Sequence, residues 1–244
     1  MNSLEKYYYI VLDVASFLIP FLFSFEKKWM YFIRFWKPYF ISILLVGLVF
    51  IIWDIYFAYQ NVWGFNDTYL LGIRWWKLPL EEWLFFLLIP YSSNFIHYSF
   101  CYFLPYIKLN KKATQNISIL LFLVSSGIFI LNLDKIYTAS SFGLFALLML
   151  CQSIYRWNYA RQFYLSFIII YLPFFLVNSV LTGMFTNQPI VFYNNLENLG
   201  IRIGTMPVED SFYCFSMLYG SVILFEILKR NGIIQRNCHI INKT

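Results

Sequence analysis

Seven stretches of predominantly apolar residues follow one another along the chain, and short polar segments separate them. They cover residues 7–25, 39–59, 80–104, 117–133, 137–154, 163–182 and 208–228. A helix needs about 20 such residues to cross the hydrocarbon core of a bilayer. The pattern therefore predicts an all-α membrane protein with about seven transmembrane helices and almost no soluble domain. The first stretch is long for a secretory signal and lacks a small-residue cleavage site, so we expect an anchor.

The fourth and fifth stretches are separated by only two charged residues, Asp134 and Lys135. A re-entrant pair is the alternative interpretation at this point. The composition supports membrane spans in general, because 60% of the 244 residues are hydrophobic, 23% are aromatic and 12% are charged. Such values lie outside the range of ordinary soluble domains.

The net charge of +6 would suit a nucleic-acid partner, but the basic residues are distributed as in a membrane protein. If the N-terminus is outside, thirteen of the eighteen Lys and Arg lie in inner segments. The outer segments then hold Lys6, Arg74, Lys77, Lys135 and Arg202. By the positive-inside rule we expect a protein of the cell (inner) membrane, with its N-terminus outside and its C-terminus cytoplasmic. Its surroundings would be membrane lipids, with no nucleic acid.

A sequence motif occurs twice, at residues 71–82 and 199–210. The Leu-Gly-Ile-Arg start, the Pro and the first Glu are identical, and no gap is needed. We call the distance in sequence from residue 71 to residue 199 the repeat offset. Adding this offset to the first three spans places them on the fifth, sixth and seventh spans. We therefore expect two parallel three-helix repeats, residues 1–110 and 136–235, joined by a linking helix at 111–135 and followed by a cytoplasmic tail at 236–244. Both copies of the motif would lie at the outer membrane edge.

Each copy of the motif carries two acids where an outer loop enters a helix. Pro79 and Pro207 suit the first helical position. The first turn then holds Glu81 and Glu82 in one copy, and Glu209 and Asp210 in the other. Acidic residues favour helix starts in any protein, which is the structural alternative. Ionisable residues at membrane depth are costly, however, and are candidates for function.

Aromatic residues follow the acids by one helical turn. Phe85, Phe86 and Tyr213 occupy these positions, and their ring faces could stabilise a carbocation. Ordinary packing is the alternative for them in a chain with 28 Phe. Asp54, at a similar depth in the second span, is a candidate third acid, with pairing to Arg74 or Lys77 as its structural alternative.

Several chemistries lack their sequence signatures. The chain has no dinucleotide-binding G-x-G-x-x-G, no Walker loop and no H-E-x-x-H, and its two histidines, His97 and His239, are far apart. The four cysteines, including Cys238, have no metal-like spacing and are expected to be free thiols. We therefore expect no metal and no cofactor, and acid and base chemistry by carboxylates on a molecule that dissolves in the bilayer.

The duplicated Pro-x-Glu-Glu/Asp at a helix start, at residues 79–82 and 207–210, resembles the small membrane-embedded lycopene cyclases. The resemblance extends over the whole chain and is to the fused form with two repeats. The second copy differs in having Asp210 for Glu and Tyr213-Cys214 for Phe-Phe. The resemblance implies a non-redox isomerisation in which the ends of lycopene become β-ionone rings, giving γ-carotene and then β-carotene.

The resemblance also implies roles for the acids. Glu81 or Glu82 would protonate the terminal alkene, and Glu209 or Asp210 would remove a ring proton, or the roles would be exchanged. Each repeat could form its own site, or both could share one. Rival interpretations are a small-molecule transporter of the SWEET type, which has the same three, one, three plan, another cofactor-free isoprenoid cyclase, and a non-catalytic scaffold. The oligomeric state stays open.

Overall fold

The computed structural model describes residues 4–230 and contains seven helices within them. They are α1 (Tyr8–Phe23), α2 (Trp36–Tyr59), α3 (Leu80–Phe103), α4 (Lys111–Leu131), α5 (Ile136–Tyr155), α6 (Ala160–Leu181) and α7 (Val208–Arg230). The predicted all-α, seven-helix architecture is confirmed. α4 and α5 have 21 and 20 residues, so each is long and apolar enough to cross a membrane, as two separate spans require. The predicted tail at 236–244, with Cys238 and His239, lies outside the described residues.

Six of the described helices are long and apolar enough to cross a membrane, and α3 is the more polar one. It has the length of a span, 24 residues, but carries Glu81, Glu82, Ser92, Ser93, Asn94 and His97. All six of these polar side chains are buried. Polar residues of a membrane helix face the bundle interior because lipid cannot solvate them. α3 is therefore the central helix of the bundle.

The lipid-facing surface is apolar, as the composition predicts. On α2 the exposed side chains include Ile41, Leu44, Leu45, Leu48, Val49 and Ile52. In water such a continuous apolar surface would be unfavourable. It indicates that the helices are solvated by lipid, and the chain is an integral membrane protein.

The two repeats are interlaced rather than packed side by side. Within each repeat the first helix packs on the third, α1 on α3 and α5 on α7. The middle helices cross over, so that α2 packs on α7 and α6 packs on α3. The linking helix α4 packs mainly on α5. The third helix of each repeat therefore contacts helices of both repeats.

Six short strands lie between the helices: β1 (Trp63–Phe65), β2 (Arg74–Trp75), β3 (Leu78–Pro79), β4 (Val191–Tyr193), β5 (Arg202–Ile203) and β6 (Met206–Pro207). β1 pairs antiparallel with β4, with Trp63 opposite Tyr193. Because β1 precedes α3 and β4 precedes α7, this pairing holds both copies of the motif at the same end of the bundle.

Each copy of the motif forms the same hairpin before its helix. β2 pairs with β3 and β5 with β6, and the arginine of each copy caps its hairpin: Arg74 donates to the carbonyl of Lys77 at 2.9 Å, and Arg202 to that of Thr205 at 3.1 Å. The prediction for the prolines was wrong by one residue. Pro79 ends β3 in an extended conformation, and α3 begins at Leu80, because the hairpin continues to the proline.

Candidate active site

A narrow cavity lies at the motif end of the bundle, between α3 and α7. Its cavity volume is about 50 Å³. Two carboxyl side chains, Glu82 and Asp210, line it from opposite repeats. The rest of the lining is mostly aromatic and includes Tyr9, Trp63, Phe65, Phe85, Phe86, Tyr137, Phe174, Tyr193 and Tyr213. One shared cavity therefore contains one acid of each pair.

Among residues 4–230, one hydrogen-bond donor holds the Glu82 side chain. The Tyr9 hydroxyl on α1 donates to Oε2 of Glu82 at 2.5 Å. Glu82 itself is 9% exposed and lies in the first turn of α3, where unpaired backbone N–H groups favour a negative charge. The carboxyl group is thus nearly removed from solvent, with one phenol as its partner.

Asp210 is held by three donors. The Tyr137 hydroxyl donates to its Oδ1, the Asn178 amide donates to its Oδ2 at 2.6 Å, and the Tyr193 hydroxyl donates to Oδ2 at 3.0 Å. Asp210 is 4% exposed. Three donors leave little of the carboxylate unsatisfied, so this group is arranged to be negatively charged.

Tyr193 lies outside the spans, in β4. Burial, followed by the neighbouring carboxylates of Asp210 and Glu82, raises the pKa of its phenol well above the usual value. The phenol therefore stays protonated and remains a donor to Asp210. Because β4 pairs with β1 of the other repeat, the position of this donor depends on both repeats.

The first acid of each pair is directed away from the cavity. Oε1 of Glu81 accepts a hydrogen bond from the backbone N–H of Leu71, and Oε1 of Glu209 accepts one from Leu199, both at 2.7 Å. Glu209 also accepts a bond from the Thr138 hydroxyl at 2.7 Å. Neighbouring helical residues point about 100° apart, so only one acid of a pair can face the cavity. Glu81 and Glu209 fasten the start of each motif to the helix that follows it.

The predicted aromatic residues lie at the cavity. Phe85, Phe86 and Tyr213 all line it. The ring of Tyr213 packs edge-on against Phe50, with centroids 4.8 Å apart, and Phe85 packs edge-on against Phe86 at 5.7 Å. These rings give the space beside the two acids an apolar and electron-rich wall.

Asp54 is buried on α2, near the cavity but not among its lining residues. Neither of its carboxyl oxygens accepts a hydrogen bond from a described residue, and Glu82 is close enough for the charges of the two groups to interact. Asp54 does not pair with Arg74 or Lys77, which was its structural alternative. Arg74 instead pairs with Asp67 at 2.5 Å, and Lys77 lies over the ring of Tyr59. Asp54 therefore belongs to the surroundings of Glu82.

Three tyrosines that line the site were not expected from the sequence: Tyr9, Tyr137 and Tyr193. Asp13, which is buried on α1 one helical turn after Tyr9, was not expected either. Tyr9 and Tyr137 are related by the repeat offset, as the two motifs are, and extending the repeat into the first span would have found them. Asp13 could also have been identified from the sequence, because it is an acid within an apolar stretch. No sequence feature identifies Tyr193, because its role depends on the pairing of β4 with β1 of the other repeat.

Comparison with known proteins gives one family. The family model described as lycopene cyclase matches residues 6–100 and again residues 134–228. No curated protein and no solved structure matches the chain. The two matched segments are related by the same repeat offset as the two motifs, and together they include both cavity acids and the helices that hold them. The chain thus belongs to the lycopene cyclase family, with the cyclase unit present twice.

Proposed function

We propose that this chain is a lycopene β-cyclase, which converts the acyclic ends of lycopene to β-ionone rings by way of γ-carotene to β-carotene. The observation that supports this most directly is the unequal bonding of two acids at one aromatic cavity. In the described part of the chain, Glu82 has one hydrogen-bond donor, whereas Asp210 has three. Glu82 is therefore the group suited to hold a proton, and Asp210 the group suited to receive one.

The reaction begins with proton transfer from Glu82 to the terminal alkene. This leaves a tertiary carbocation on the polyene and a carboxylate on Glu82. Tyr9 and the start of α3 stabilise that carboxylate as it forms, which lowers the barrier for protonating a weak base. The next double bond then attacks the cation, so that a ring bond forms and the positive charge moves into the ring.

The aromatic residues of the cavity stabilise and protect the carbocation. The rings of Phe85, Phe86 and Tyr213 present negative faces that attract a cation. They also exclude water, which would otherwise capture the cation as an alcohol. The apolar lining explains how a reactive cation could survive until a proton is removed.

Asp210 completes the reaction by removing a ring proton. Removal from the ring carbon that bears the polyene gives the β ring, and removal from other neighbouring carbons gives the ε or γ ring. A base fixed by three donors reaches one of these protons in preference to the others. One proton is added and one is lost, so the reaction needs neither an oxidant nor a reductant.

The substrate is a lipophilic polyene that enters from the bilayer. We place the chain in the cell membrane with its N-terminus outside, because most of the Lys and Arg fall in the segments opposite the motif end. The active site then lies near the outer surface. No partner protein is required by this proposal.

Expression in a lycopene-accumulating host tests the proposal. The wild type is expected to yield γ-carotene and β-carotene, and Glu82→Gln and Asp210→Asn are expected to leave lycopene unchanged. Asp134→Asn, at an exposed acid in the loop between α4 and α5, is the matched control. Pigments are separated by chromatography, and variant levels in the membrane are compared. Cyclisation by both Glu82→Gln and Asp210→Asn at the wild-type rate would contradict the assignment.

A further inference from the structure

A second cavity lies at the end of the bundle opposite the two motifs. Its volume is about 470 Å³, and the starts of α4 and α6 and the end of α5 line it. Its lining residues include four cations, Lys111, Lys112, Arg156 and Arg161, and no acid. We call it the basic cavity. α6 has 22 residues and extends about 33 Å from this cavity toward the motif end, so the basic cavity is separate from the active site.

No acid of the described chain neutralises these four cations. The salt bridges within residues 4–230 are Arg74 with Asp67 and Lys229 with Glu226, and neither includes a residue of the basic cavity. Another cavity at the same end contains Arg34 and Lys229, but there Glu226 lies 3.6 Å from Lys229 and offsets its charge. The basic cavity therefore concentrates positive charge without such compensation.

Three of the cations occupy helix starts, where the helix dipole disfavours them. Lys111 and Lys112 are in the first turn of α4, Arg161 is in the first turn of α6, and neither first turn contains an acid. The positive end of a helix dipole favours anions, and α3 and α7 of this chain carry acids there. The positive-inside rule explains why basic residues lie in this part of the chain. It does not explain why they converge on one cavity at two helix starts, whereas a bound anion would offset the repulsion.

Hydrogen bonds between the helices fix the shape of the basic cavity. The backbone N–H of Leu109, just before α4, donates to the carbonyl of Arg161 at 3.0 Å, and Nε of Arg161 donates to the carbonyl of Leu109 at 2.6 Å. Gln115 donates to the carbonyl of Ser153 at 2.9 Å and so joins α4 to the end of α5. The Arg161 guanidinium is thus held at the cavity by one N–H, and its terminal NH₂ groups have no acceptor among the described residues.

Gln152 is a deeply buried polar residue of the cavity lining, only 1% exposed. Its Oε1 accepts from the Tyr219 hydroxyl at 2.6 Å. Its Nε2 carries two N–H groups but has one acceptor in the described chain, the carbonyl of Trp157 at 3.4 Å. A buried donor without an acceptor is unfavourable. This amide therefore also needs an acceptor from outside the chain.

Trp157 indicates that the basic cavity lies at the level of the lipid head groups. Its ring stacks on those of Tyr155 and Tyr159, with centroids 5.2 and 5.9 Å apart. Trp and Tyr concentrate at the membrane–water interface. The neighbouring apolar side chains of Leu147 and Ile154 on α5 are exposed and face lipid. A molecule with its anionic group in the cavity could therefore place an acyl chain along this apolar surface.

We propose that the basic cavity binds a phosphate-bearing anion, and that in the bilayer this anion is the head group of an anionic phospholipid. Arg156 and Arg161 donate to the phosphate oxygens, because the guanidinium group matches phosphate in geometry, and Lys111 and Lys112 act as point charges. The bound phosphate joins the linking helix α4 to α5 and α6 of the second repeat. This inference does not depend on the chemistry proposed for the acids at the opposite end.

Native mass spectrometry of the purified full chain in a neutral detergent tests the inference. The probes are phosphatidylglycerol, which is anionic, phosphatidylcholine with the same acyl chains, which has no net charge, and inorganic phosphate. The wild type is expected to bind phosphatidylglycerol at least about tenfold more tightly than phosphatidylcholine. Inorganic phosphate is expected to compete only weakly, since it has no acyl chain.

A variant of the basic cavity combines Lys112→Gln with Arg156→Asn. Asparagine tolerates the left-handed backbone conformation of residue 156, whose φ is 51°. Each cation near a membrane surface contributes about fivefold to the affinity for anionic lipid, so this variant is expected to bind phosphatidylglycerol about 25-fold more weakly. The matched control combines Lys27→Gln with Lys28→Gln, two exposed cations at the same end but outside the cavity. It is expected to bind as the wild type does.

Each result supports or overturns part of the inference. Equal weakening in the cavity variant and in the control would overturn it, because general surface charge would then explain the binding. Tight binding of inorganic phosphate without a preference for phosphatidylglycerol would keep the anion site but overturn its assignment to lipid. If no probe binds, the site itself is overturned. If the cavity variant does not accumulate, Lys111→Gln alone is expected to weaken phosphatidylglycerol binding about fivefold, and unchanged binding there counts against the inference.

Discussion

Tyr9 and Tyr137, which occupy equivalent positions in the two repeats, each donate a hydrogen bond to the second acid of their own repeat, Glu82 and Asp210 respectively. In both repeats the first helix thus supplies a phenol to the start of the third helix. The pair shows that the duplicated unit includes the polar partner of the acid as well as the motif. The two halves differ in what surrounds this pair, and the first prediction follows from that difference.

Removing the two phenols is expected to have unequal effects. Tyr9→Phe takes away the one donor to Glu82, and a hydrogen bond to a charged group is worth about 1.5–3 kcal/mol. Cyclisation should therefore slow by roughly 10–100-fold. Tyr137→Phe leaves Asn178 and Tyr193 on Asp210 and should slow the reaction by less than about tenfold. Initial rates in isolated membranes measure both, and equal losses would count against the assignment of acid and base.

Removing a hydrogen-bond donor from Asp210, the proposed base, is expected to change the product rather than abolish the reaction. Tyr193→Phe and Asn178→Ala each remove one donor from Asp210, so its carboxylate can reach other ring protons. We expect ε or γ rings to appear beside β rings, identified by chromatography and NMR. Tyr106→Phe, at an exposed tyrosine away from the cavity, is the control. A product that contains only β rings in both variants would show that the substrate, and not the base, selects the proton.

Opening the aromatic wall is expected to admit water. Phe86→Ala removes a ring that lines the cavity beside Glu82 and Asp210. Water that enters the space can capture the carbocation, so hydroxylated products should accompany the carotenes. Mass spectrometry of the extracted pigments detects the added oxygen, and growth in ¹⁸O-labelled water identifies its source. If the variant is slower but gives no alcohol, the ring acts by packing or cation stabilisation alone.

The sequence predicted the parts of this architecture that depend on local pattern. The apolar stretches predicted the helices, and the repeated Pro-x-Glu motif located the two helix starts with an error of one residue at Pro79 and at Pro207. Which acid of each pair faces the cavity depends on the rotation of α3 and α7, and packing between the repeats decides that rotation. The donor Tyr193 depends on the pairing of β4 with β1, a strand of the other repeat and far away in the sequence, which no local pattern encodes.

Glu81 and Glu209 are expected to tolerate amides but not alanine. A glutamine retains the side-chain oxygen that accepts from the N–H of Leu71 or Leu199, so Glu81→Gln and Glu209→Gln should remain active. Alanine leaves that N–H without a partner and should destabilise the protein by about 1–3 kcal/mol. Thermal unfolding in detergent measures the loss. An inactive but fully stable Glu81→Gln or Glu209→Gln would instead make that residue a participant in the chemistry.

A single cavity shared by both repeats predicts that the ends of lycopene are cyclised one at a time. The two ends are separated by the whole length of the polyene, so the cavity holds one of them while Glu82 and Asp210 act on it. The half-cyclised molecule must then leave and return with its other end first. We expect free γ-carotene to accumulate early in a time course and to decline as β-carotene rises. Adding unlabelled γ-carotene during conversion of labelled lycopene should dilute the label in β-carotene. An undiluted label would mean that the second ring closes without release, which would require a second site that the shared cavity does not provide.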